Sequence, residues 1–232
     1  MFDLGTSFTK LIVMFEFPIH VVDFEGSRQS GVVEYGCVTL EQGELGKSYT
    51  RICAPVGKIS KLDRVQHGIT ESDAEQEAPF TAEWSLFAGL RETGLFCAHN
   101  STVEEGFLRA VWPFPRNSPH FLESGLQTAT WGPWLDTLHL YRRIYPHLGS
   151  YKLEDLVQLF DLQTLLNKHA ASLCSMDRSN YHCALYDALG SALLLQRLGE
   201  EPSLQSASLH WFFMQSAASD DIHKARGQQE LL

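Results

Sequence analysis

The stretch Ile19–Glu25, which reads Ile-His-Val-Val-Asp-Phe-Glu, constrains the fold more than any other part of the chain. Its apolar residues are typical of a short strand buried on both faces, yet it ends in two carboxylates separated by one residue. Because side chains two apart point to the same face of a strand, Asp23 and Glu25 are expected to lie side by side. Burying unpaired charge is costly, so these oxygens predict a site for Mg²⁺ or Mn²⁺.

The composition of the 232-residue chain is that of an ordinary globular protein with a formal net charge of −10. This charge disfavours broad adhesion to a polyanion but leaves room for a locally basic groove. The five cysteines lack the close spacing of a zinc site and are expected to be buried free thiols in a reducing compartment. The apolar run Leu11–Phe15 ends at Glu16 without a cleavage site, and no run is long enough to span a membrane. We therefore expect a cytoplasmic protein.

Alternation and turn residues predict a sheet near the N-terminus. Three strands, Ile19–Phe24, Val32–Leu40 and Lys47–Cys53, are joined by short turns and are expected to form an antiparallel meander. Leu95–Ala98 is wholly apolar, as in a parallel strand covered by helices. Leu135–Leu140 is interpreted as a fifth strand or as a strand–helix junction.

Helical periodicity and capping residues predict the rest. A helix start is expected at Glu71–Ala74, and helices are expected after Pro79, after Asn100, and at Lys152–Phe160, His182–Leu198 and Leu209–Met214. A Pro- and Trp-rich insertion, 113–134, interrupts this pattern. Trp112, Trp131 and Trp134 in or beside it are interpreted either as stacking platforms for bases or as residues that pack the insertion onto the domain. We predict a leader at 1–17, one domain at 18–199 and a C-terminal extension at 200–232.

Acids recur at the edges of two later core elements. Glu104 lies in the first turn of the helix that follows His99-Asn100, and Asp187 follows His182 by five positions. Taken alone, each has an ordinary explanation: Glu104 is favourable near a helix N-terminus, Asp187 suits a solvated helix face, and a histidine often starts a helix. Their order along the chain gives them a different meaning.

Asp-x-Glu at the end of the first strand, His-Asn with an acid four residues after the Asn, and a late His-x4-Asp together resemble the DEDDh family. This family comprises the 3′→5′ exonucleases of the DnaQ-like type. The segments His67–Thr70 (His-Gly-Ile-Thr) and Tyr151–Leu156 (Tyr-Lys-Leu-Glu-Asp-Leu) are similar to segments of the family as well. The resemblance covers about residues 19–198. It implies an α/β chain with the RNase H-like fold, in which helices flank a mixed five-stranded sheet.

The resemblance also implies a site with two divalent ions, Mg²⁺ or Mn²⁺, and a histidine base. The implied metal ligands are Asp23, Glu25, Glu104 and Asp187, and His182 would be the general base. The implied substrate-binding residues are Gly26, Ser27, His67, Gly68, Ile69 and Asn100. Glu104 departs from the family, which usually has Asp there, and Glu105 lies about 100° further around the helix.

Three of these neighbours keep a second interpretation. Ile69 either wedges against the terminal base or belongs to the core. Asn100 either touches the scissile region or caps its helix, and we expect the cap. Phe24 alternates away from the two acids and is expected in the core.

The expected activity is metal-dependent removal of 5′-mononucleotides from the 3′ end of single-stranded DNA or RNA. Two alternatives remain at this point. One is an accessory or proofreading-type nucleic-acid-binding subunit with weak or lost nuclease activity, and the other is a phosphodiesterase for short oligonucleotides. Besides the strand, a second copy of the chain or a polymerase-type protein is a possible partner. A set of basic residues either is ordinary surface charge or, where its members face the pocket, contacts phosphates. These residues are Arg28, Lys58, Lys61, Arg64, Arg142, Arg143 and Lys152.

Overall fold

The computed structural model describes residues 15–218, so 1–14 of the predicted leader and 219–232 of the predicted extension lie outside the described residues. The strands of this part of the chain are β1 (Ile19–Ser27), β2 (Gly31–Glu41), β3 (Glu44–Ile52), β4 (Leu95–Ala98), β5 (Ser118–Pro119), β6 (Gln127–Thr128) and β7 (Trp134–Asp136). Five of them form one sheet in the order β3-β2-β1-β4-β7, and β5 pairs with β6.

Strands β1, β2 and β3 form the predicted antiparallel meander, and β4 runs parallel to both β1 and β7. The mixed five-stranded sheet is therefore confirmed. The strand–helix junction is also the right interpretation of the fifth segment, because β7 ends at Asp136 and a helix begins at Thr137. Because β7 is short, the polar residue Asp136 lies at its end, directly after its apolar residues.

The helices of the described chain are α1 (Lys61–His67), α2 (Glu71–Ala74), α3 (Trp84–Thr93), α4 (Ser101–Val111), α5 (Thr137–Ile144), α6 (Leu153–Leu159), α7 (Gln163–Leu173), α8 (Ala184–Glu200) and α9 (Leu209–Gln215). Two of them, α1 and α7, have no predicted counterpart. None of the helices between residues 15 and 218 combines the length and the apolar character that a membrane crossing requires.

The two faces of the sheet carry separate apolar cores. Val21 and Val38 face α8, which is buried along almost its whole length, and α6 and α7 pack on the outer side of α8. Phe24 lies on the opposite face and meets Phe87 of α3, as expected for a core residue. Since Asp23 and Glu25 alternate with Phe24, they share the face of α8.

Gly36 of β2 sets how closely α8 approaches the sheet. A Cβ atom at this position would lie 2.2 Å from the backbone nitrogen of Leu185 and 2.3 Å from the carbonyl carbon of Ala184. Gly36 is also the cross-strand partner of Asp23. The missing side chain therefore lets the first turn of α8 reach the sheet beside that carboxylate.

The insertion packs as its second interpretation predicts. Trp131 is 1% exposed, and its indole Nε1 donates a hydrogen bond to the Trp112 carbonyl at 2.8 Å. Trp134 is also buried, so neither of these two rings is a stacking platform. In the predicted C-terminal extension, Leu209 and Phe212 of α9 contribute to the main core. All five cysteines are free thiols, and Cys174 alone among them is not fully buried.

Candidate active site

The first two acids of the site come from the end of β1. Glu25 is 7% exposed, and Asp23 is half-buried two residues before it on the same face. The register of β1 on β2 shifts between Glu25 and Gly26, whose φ of +142° suits glycine. The strand pairing therefore becomes irregular directly after the acids. This places the two carboxylates at an opening of the core.

Glu104 comes from the first turn of α4, which begins where β4 ends. Asn100 occupies the N-cap position with φ +84°, but its side chain makes no capping hydrogen bond, so the expected cap is wrong. The carboxylate of Asp136 does this work, because its oxygens accept from the backbone nitrogens of Asn100 at 3.2 Å and Ser101 at 2.7 Å. Glu104 is thereby turned inward and is 5% exposed.

Asp187 and His182 come from the start of α8. Asp187 lies one turn into the helix and is 7% exposed. His182 does not belong to the helix, contrary to the predicted range His182–Leu198, because the helix begins at Ala184 and His182 has φ +64°. Its backbone nitrogen donates to Asp187 Oδ2 at 2.9 Å, and its imidazole is exposed with Nδ1 3.4 Å from Gln66 Nε2. This turn presents an accessible base beside a buried acid.

These residues come from three separate parts of the chain and meet at one point. Ligand atoms of Glu25, His182 and Asp187 all lie within 4.8 Å of one another. Burial raises the pKa of Asp23 well above its ordinary value, and the nearby charges of Glu104, Asp187 and Glu25 raise it further. The same set of predicted ligands is thus brought together by the fold, and it includes Glu104 despite its extra methylene group.

Burial and mutual repulsion disfavour ionisation of every acid in the cluster. Burial is the largest cause of the rise in pKa of Glu25 to about 8 and of Asp187 to about 7. Burial also raises the pKa of Glu104, and the charge of Glu25 adds to that rise. A cation would reverse this preference because it stabilises the ionised carboxylates.

The donor set fits hard divalent cations. Within residues 15–218, Glu104 Oε2 and Asp187 Oδ1 are buried oxygens without a hydrogen-bond partner. Unpartnered buried acceptors are rare in proteins, and an ion is one of the accepted explanations. Four carboxylates and one imidazole suit Mg²⁺ or Mn²⁺, which prefer oxygen ligands.

The predicted substrate-binding residues divide into two groups. Ile69 is 2% exposed and packs with Val33, Ile59 and Ala74, so its side chain is a core residue and does not wedge against a base. His67 is also buried, and its Nδ1 accepts from the Ile69 nitrogen at 3.1 Å. Gly68, with φ +73°, ends α1 between these two residues. The side chains of His67 and Ile69 therefore belong to the packed core that supports the site.

The other group lies at the opening. Gly26 and Ser27 follow the acids of β1, and the backbone nitrogen of Ser27 donates to Ser30 Oγ at 3.0 Å within the hairpin turn. Asn100 lines a groove of about 650 Å³ that reaches His182 and Asp187. Further residues that line the groove include His99, Arg142, Tyr151 and Lys152. The groove combines the acid cluster at one end with two cationic side chains along its wall.

Three charged residues near the site were missed by the sequence predictions: Glu34 and Asp136, which are buried, and Arg178, which is partly buried. The available signals were weak. Glu34 interrupts the apolar strand β2, and Asp136 ends an apolar strand in the same way as Asp23 does. Arg178 lies in an irregular segment and carries no local signal, since its partner Glu34 is 144 residues away.

No protein-family model matches the chain. Among curated proteins, the DNA polymerase III PolC-type of Halalkalibacterium halodurans is 23% identical over 195 residues, which cover 84% of this chain and 12% of the polymerase. The corresponding polymerase of Bacillus subtilis is 25% identical over 200 residues, which cover 85% and 12%. The chain therefore spans only a small part of the length of these relatives.

Solved structures of exonucleases are similar in fold. Exonuclease X in complex with 5′-overhanging duplex DNA is 22% identical with a TM-score of 0.60, covering 88% of this chain and 99% of that chain. Exonuclease I from Methylocaldum szegediense is 14% identical with a TM-score of 0.62, and the coverage is 90% and 45%. E. coli Exonuclease I in complex with a dT13 oligonucleotide is 14% identical with a TM-score of 0.61, covering 90% of this chain and 46% of that chain. These likenesses confirm the predicted RNase H-like fold for this chain.

Proposed function

We propose that this chain, which has the fold of the DnaQ-like exonucleases, is a metal-dependent 3′→5′ exonuclease that releases 5′-mononucleotides from single-stranded ends. The observation that carries the proposal is the convergence of Asp23, Glu25, Glu104 and Asp187 beside an exposed His182. Four clustered acids with raised pKa values, three of them buried, are not a stabilising feature, because their burial and repulsion oppose folding. Their arrangement is accounted for by cations and a reaction at phosphorus.

The acids would hold two divalent ions, with Asp23 in the centre. Ligand atoms of Glu25 and Asp187 lie within 4.8 Å of each other and of His182. The charges of Glu104, Asp187 and Glu25 all act on Asp23, and Glu104 comes from α4. When bound, such a pair of ions activates water and stabilises the charge on the attacking and leaving oxygens. The unpartnered oxygens of Glu104 and Asp187 supply ligand atoms that no protein donor competes for.

His182 would accept the proton of the attacking water. Its imidazole is exposed, which leaves a ring nitrogen available to solvent and substrate. Asp187 holds the same residue through the backbone hydrogen bond of 2.9 Å. The general base and one metal ligand are thus fixed to each other by the turn that precedes α8.

The groove would hold the strand behind its 3′ end. Arg142 stacks on the Tyr151 ring at 5.7 Å and, with Lys152, provides cationic groups for phosphates. Asn100 and the backbone of Gly26 and Ser27 would contact the terminal nucleotide. The match to PolC-type polymerases supports a role beside a polymerase, and a cytoplasmic location follows from that role.

The decisive experiment measures mononucleotide release from short 5′-labelled and 3′-labelled DNA and RNA strands with Mg²⁺, Mn²⁺ or chelator. The expected result is stepwise shortening from the 3′ end that requires metal and is lost in Asp23→Asn. Asp161→Asn is the matched control, because Asp161 is exposed and has φ +57°, which asparagine tolerates. Strand binding without any shortening would favour the accessory subunit, and shortening confined to di- and trinucleotides would favour the phosphodiesterase.

A further inference from the structure

A fifth buried acid, Glu34, lies directly beside the cluster and has no role in the proposed reaction. It is the cross-strand partner of Glu25 in the pairing of β1 with β2, and it is 3% exposed. Side chains of directly opposite residues project to the same face, so two like charges here would repel each other. A buried acid at this position therefore needs a specific reason.

Arg178 occupies both oxygens of Glu34. Its Nε donates to Oε1 at 2.9 Å and its Nη2 donates to Oε2 at 2.5 Å, which is the paired geometry that arginine forms with carboxylates. The backbone nitrogen of Ala184, the first residue of α8, also donates to Oε2 at 2.9 Å. Glu34 is thus saturated with donors, and one of them comes from the helix that carries Asp187.

The same guanidinium reaches two further segments of the site. Nη1 donates to the carbonyl of His67 at 2.7 Å, and Nη2 lies 3.4 Å from the carbonyl of His182. Arg178 itself lies in a short 3₁₀ turn, Met176–Arg178, four residues before the proposed base. One side chain therefore connects β2, the end of α1 and the turn that presents the imidazole.

We infer that Arg178, held by Glu34, is a positioning residue for His182 and shields the metal ligands from the charge of Glu34. The inference rests on the proposed function for the role of His182. Its second half concerns metal binding alone and stands without the reaction.

The charges around Glu25 agree with this assignment. Glu34 lies directly opposite Glu25 across the two strands, and the guanidinium of Arg178 places its positive charge on both Glu34 oxygens. The alternative is an ion pair that contributes only to stability. Replacing both members of such an ion pair is often neutral for folding. A role in stability alone therefore does not explain why Arg178 nitrogens also reach the carbonyls of His67 and His182.

The test compares Arg178→Lys, Arg178→Met, Glu34→Gln and the double variant Glu34→Gln/Arg178→Met. For each, kcat and KM are measured on a short 3′-labelled strand, Mn²⁺ affinity by calorimetry, and folding by thermal melting. Arg116→Met is the matched control, because Arg116 pairs with Glu92 at 3.2 Å on an exposed surface.

Arg178→Met is expected to lower kcat roughly 10- to 100-fold with little change in KM. It should also tighten Mn²⁺ binding, because the uncompensated charge of Glu34 then acts on the cation. The double variant should return the Mn²⁺ affinity to near the wild-type value, because the unpaired charge is gone, while kcat stays low because the turn is not held. Arg178→Lys should keep the Mn²⁺ affinity and lose kcat, since an ammonium group cannot form the same fork. If Arg178→Met does not fold, the lysine and double variants carry the decision.

Altered melting temperatures with kcat and Mn²⁺ affinity at wild-type values would overturn the inference and leave a purely structural ion pair. An inactive wild-type protein would instead reject the proposed exonuclease. The Mn²⁺ affinities of the same variants would then still decide whether Arg178 shields the acid cluster.

Discussion

Glu25 and Glu34 face each other across β1 and β2, and both are almost fully buried, yet the surroundings of their carboxylate oxygens differ. Both oxygens of Glu34 are filled by Arg178 and by the Ala184 nitrogen. Glu25 instead lies among other acids, and its pKa is raised to about 8, mainly by burial. The comparison shows that burial alone does not identify a functional acid. Whether protein donors already satisfy its oxygens is the more useful criterion.

The largest expected effect comes from neutralising each acid in turn. Glu25→Gln should reduce exonuclease activity to the level seen with chelator, because a metal ligand is lost, and should raise the melting temperature in chelator because repulsion is relieved. Glu34→Gln should have the opposite profile, with a loss of about 1–3 kcal/mol in the free energy of unfolding and measurable residual activity. Equal behaviour of the two variants in both assays would remove the distinction drawn above.

His182→Ala tests the proposed general base, which Arg178 and its partner Glu34 are proposed to position. We expect kcat to fall by roughly 10²- to 10⁴-fold, the usual contribution of general acid–base catalysis. Because the imidazole is exposed, the melting temperature should stay near that of the wild type. A single-turnover assay at saturating strand concentration measures the effect on chemistry. Unchanged kcat would show that the attacking water loses its proton elsewhere.

The pH dependence of metal-free stability separates the two acids further. The folded protein keeps a proton on Glu25 up to a pH of about 8, whereas the unfolded chain loses it near the ordinary value of 4.5. The unfolded state then binds fewer protons, so stability in chelator should fall as pH rises between these values, by up to about 1.4 kcal/mol per pH unit for such a group. Asp187 should add to this slope up to about pH 7.

Denaturant titrations with chelator across that range provide the measurement. Glu25→Gln should flatten the slope. Glu34→Gln should narrow the pH range of the slope without removing it, because Glu34 adds to the raised pKa of Glu25 while burial is the larger cause. Saturating Mg²⁺ should remove the slope in the wild type. A wild-type protein that gains stability with rising pH in chelator would contradict the assigned pKa directions.

Gly36→Ala probes the contact that brings α8 to both acids. The new Cβ would lie within 2.2–2.4 Å of backbone atoms of Ala184 and Leu185, so the helix start must move away from β2. We expect a loss of about 1–3 kcal/mol in the free energy of unfolding, and lower activity because Asp187 moves with the helix. Gly89→Ala is the control, since nothing lies within 4 Å of the added atom and a helical glycine is replaced. Similar stability of both variants would mean that α8 adapts without cost.

The parts of the molecule that were predictable from sequence are those fixed by local spacing. The alternation of Asp23 with Phe24 placed the acid on one face and the ring in the core, and the order of the motifs indicated the fold. Pairings that close over long separations were not predictable. Asp136 caps a helix that begins 35 residues earlier, and Arg178 meets Glu34 across 144 residues. Periodicity does not encode such contacts, because they depend on how the layers pack.

The side chain of Ile69 shows a related limit. Both a wedge and a core role were compatible with the sequence, and the packing of Val33, Ile59 and Ala74 around it decided between them. His182 shows a second limit. It has a left-handed backbone and lies before the helix, but its sequence pattern does not differ from that of a residue at the helix start. In both cases the missing information was the tertiary packing around the residue.

Asp136→Asn is expected to have the smallest effect and sharpens the comparison from a third acid. Asp136 is buried like Glu34 and its oxygens are also filled, by the nitrogens of Asn100, Ser101 and His139. Asparagine retains one acceptor, so the loss should be about 0.5–2 kcal/mol, the range for a helix cap. Mn²⁺ affinity should not change, because both oxygens of this carboxylate already accept hydrogen bonds from backbone nitrogens and are not available as metal ligands. Calorimetry and thermal melting of this variant thus test the criterion itself: a large loss of Mn²⁺ affinity would show that an acid with filled oxygens still contributes to the metal site.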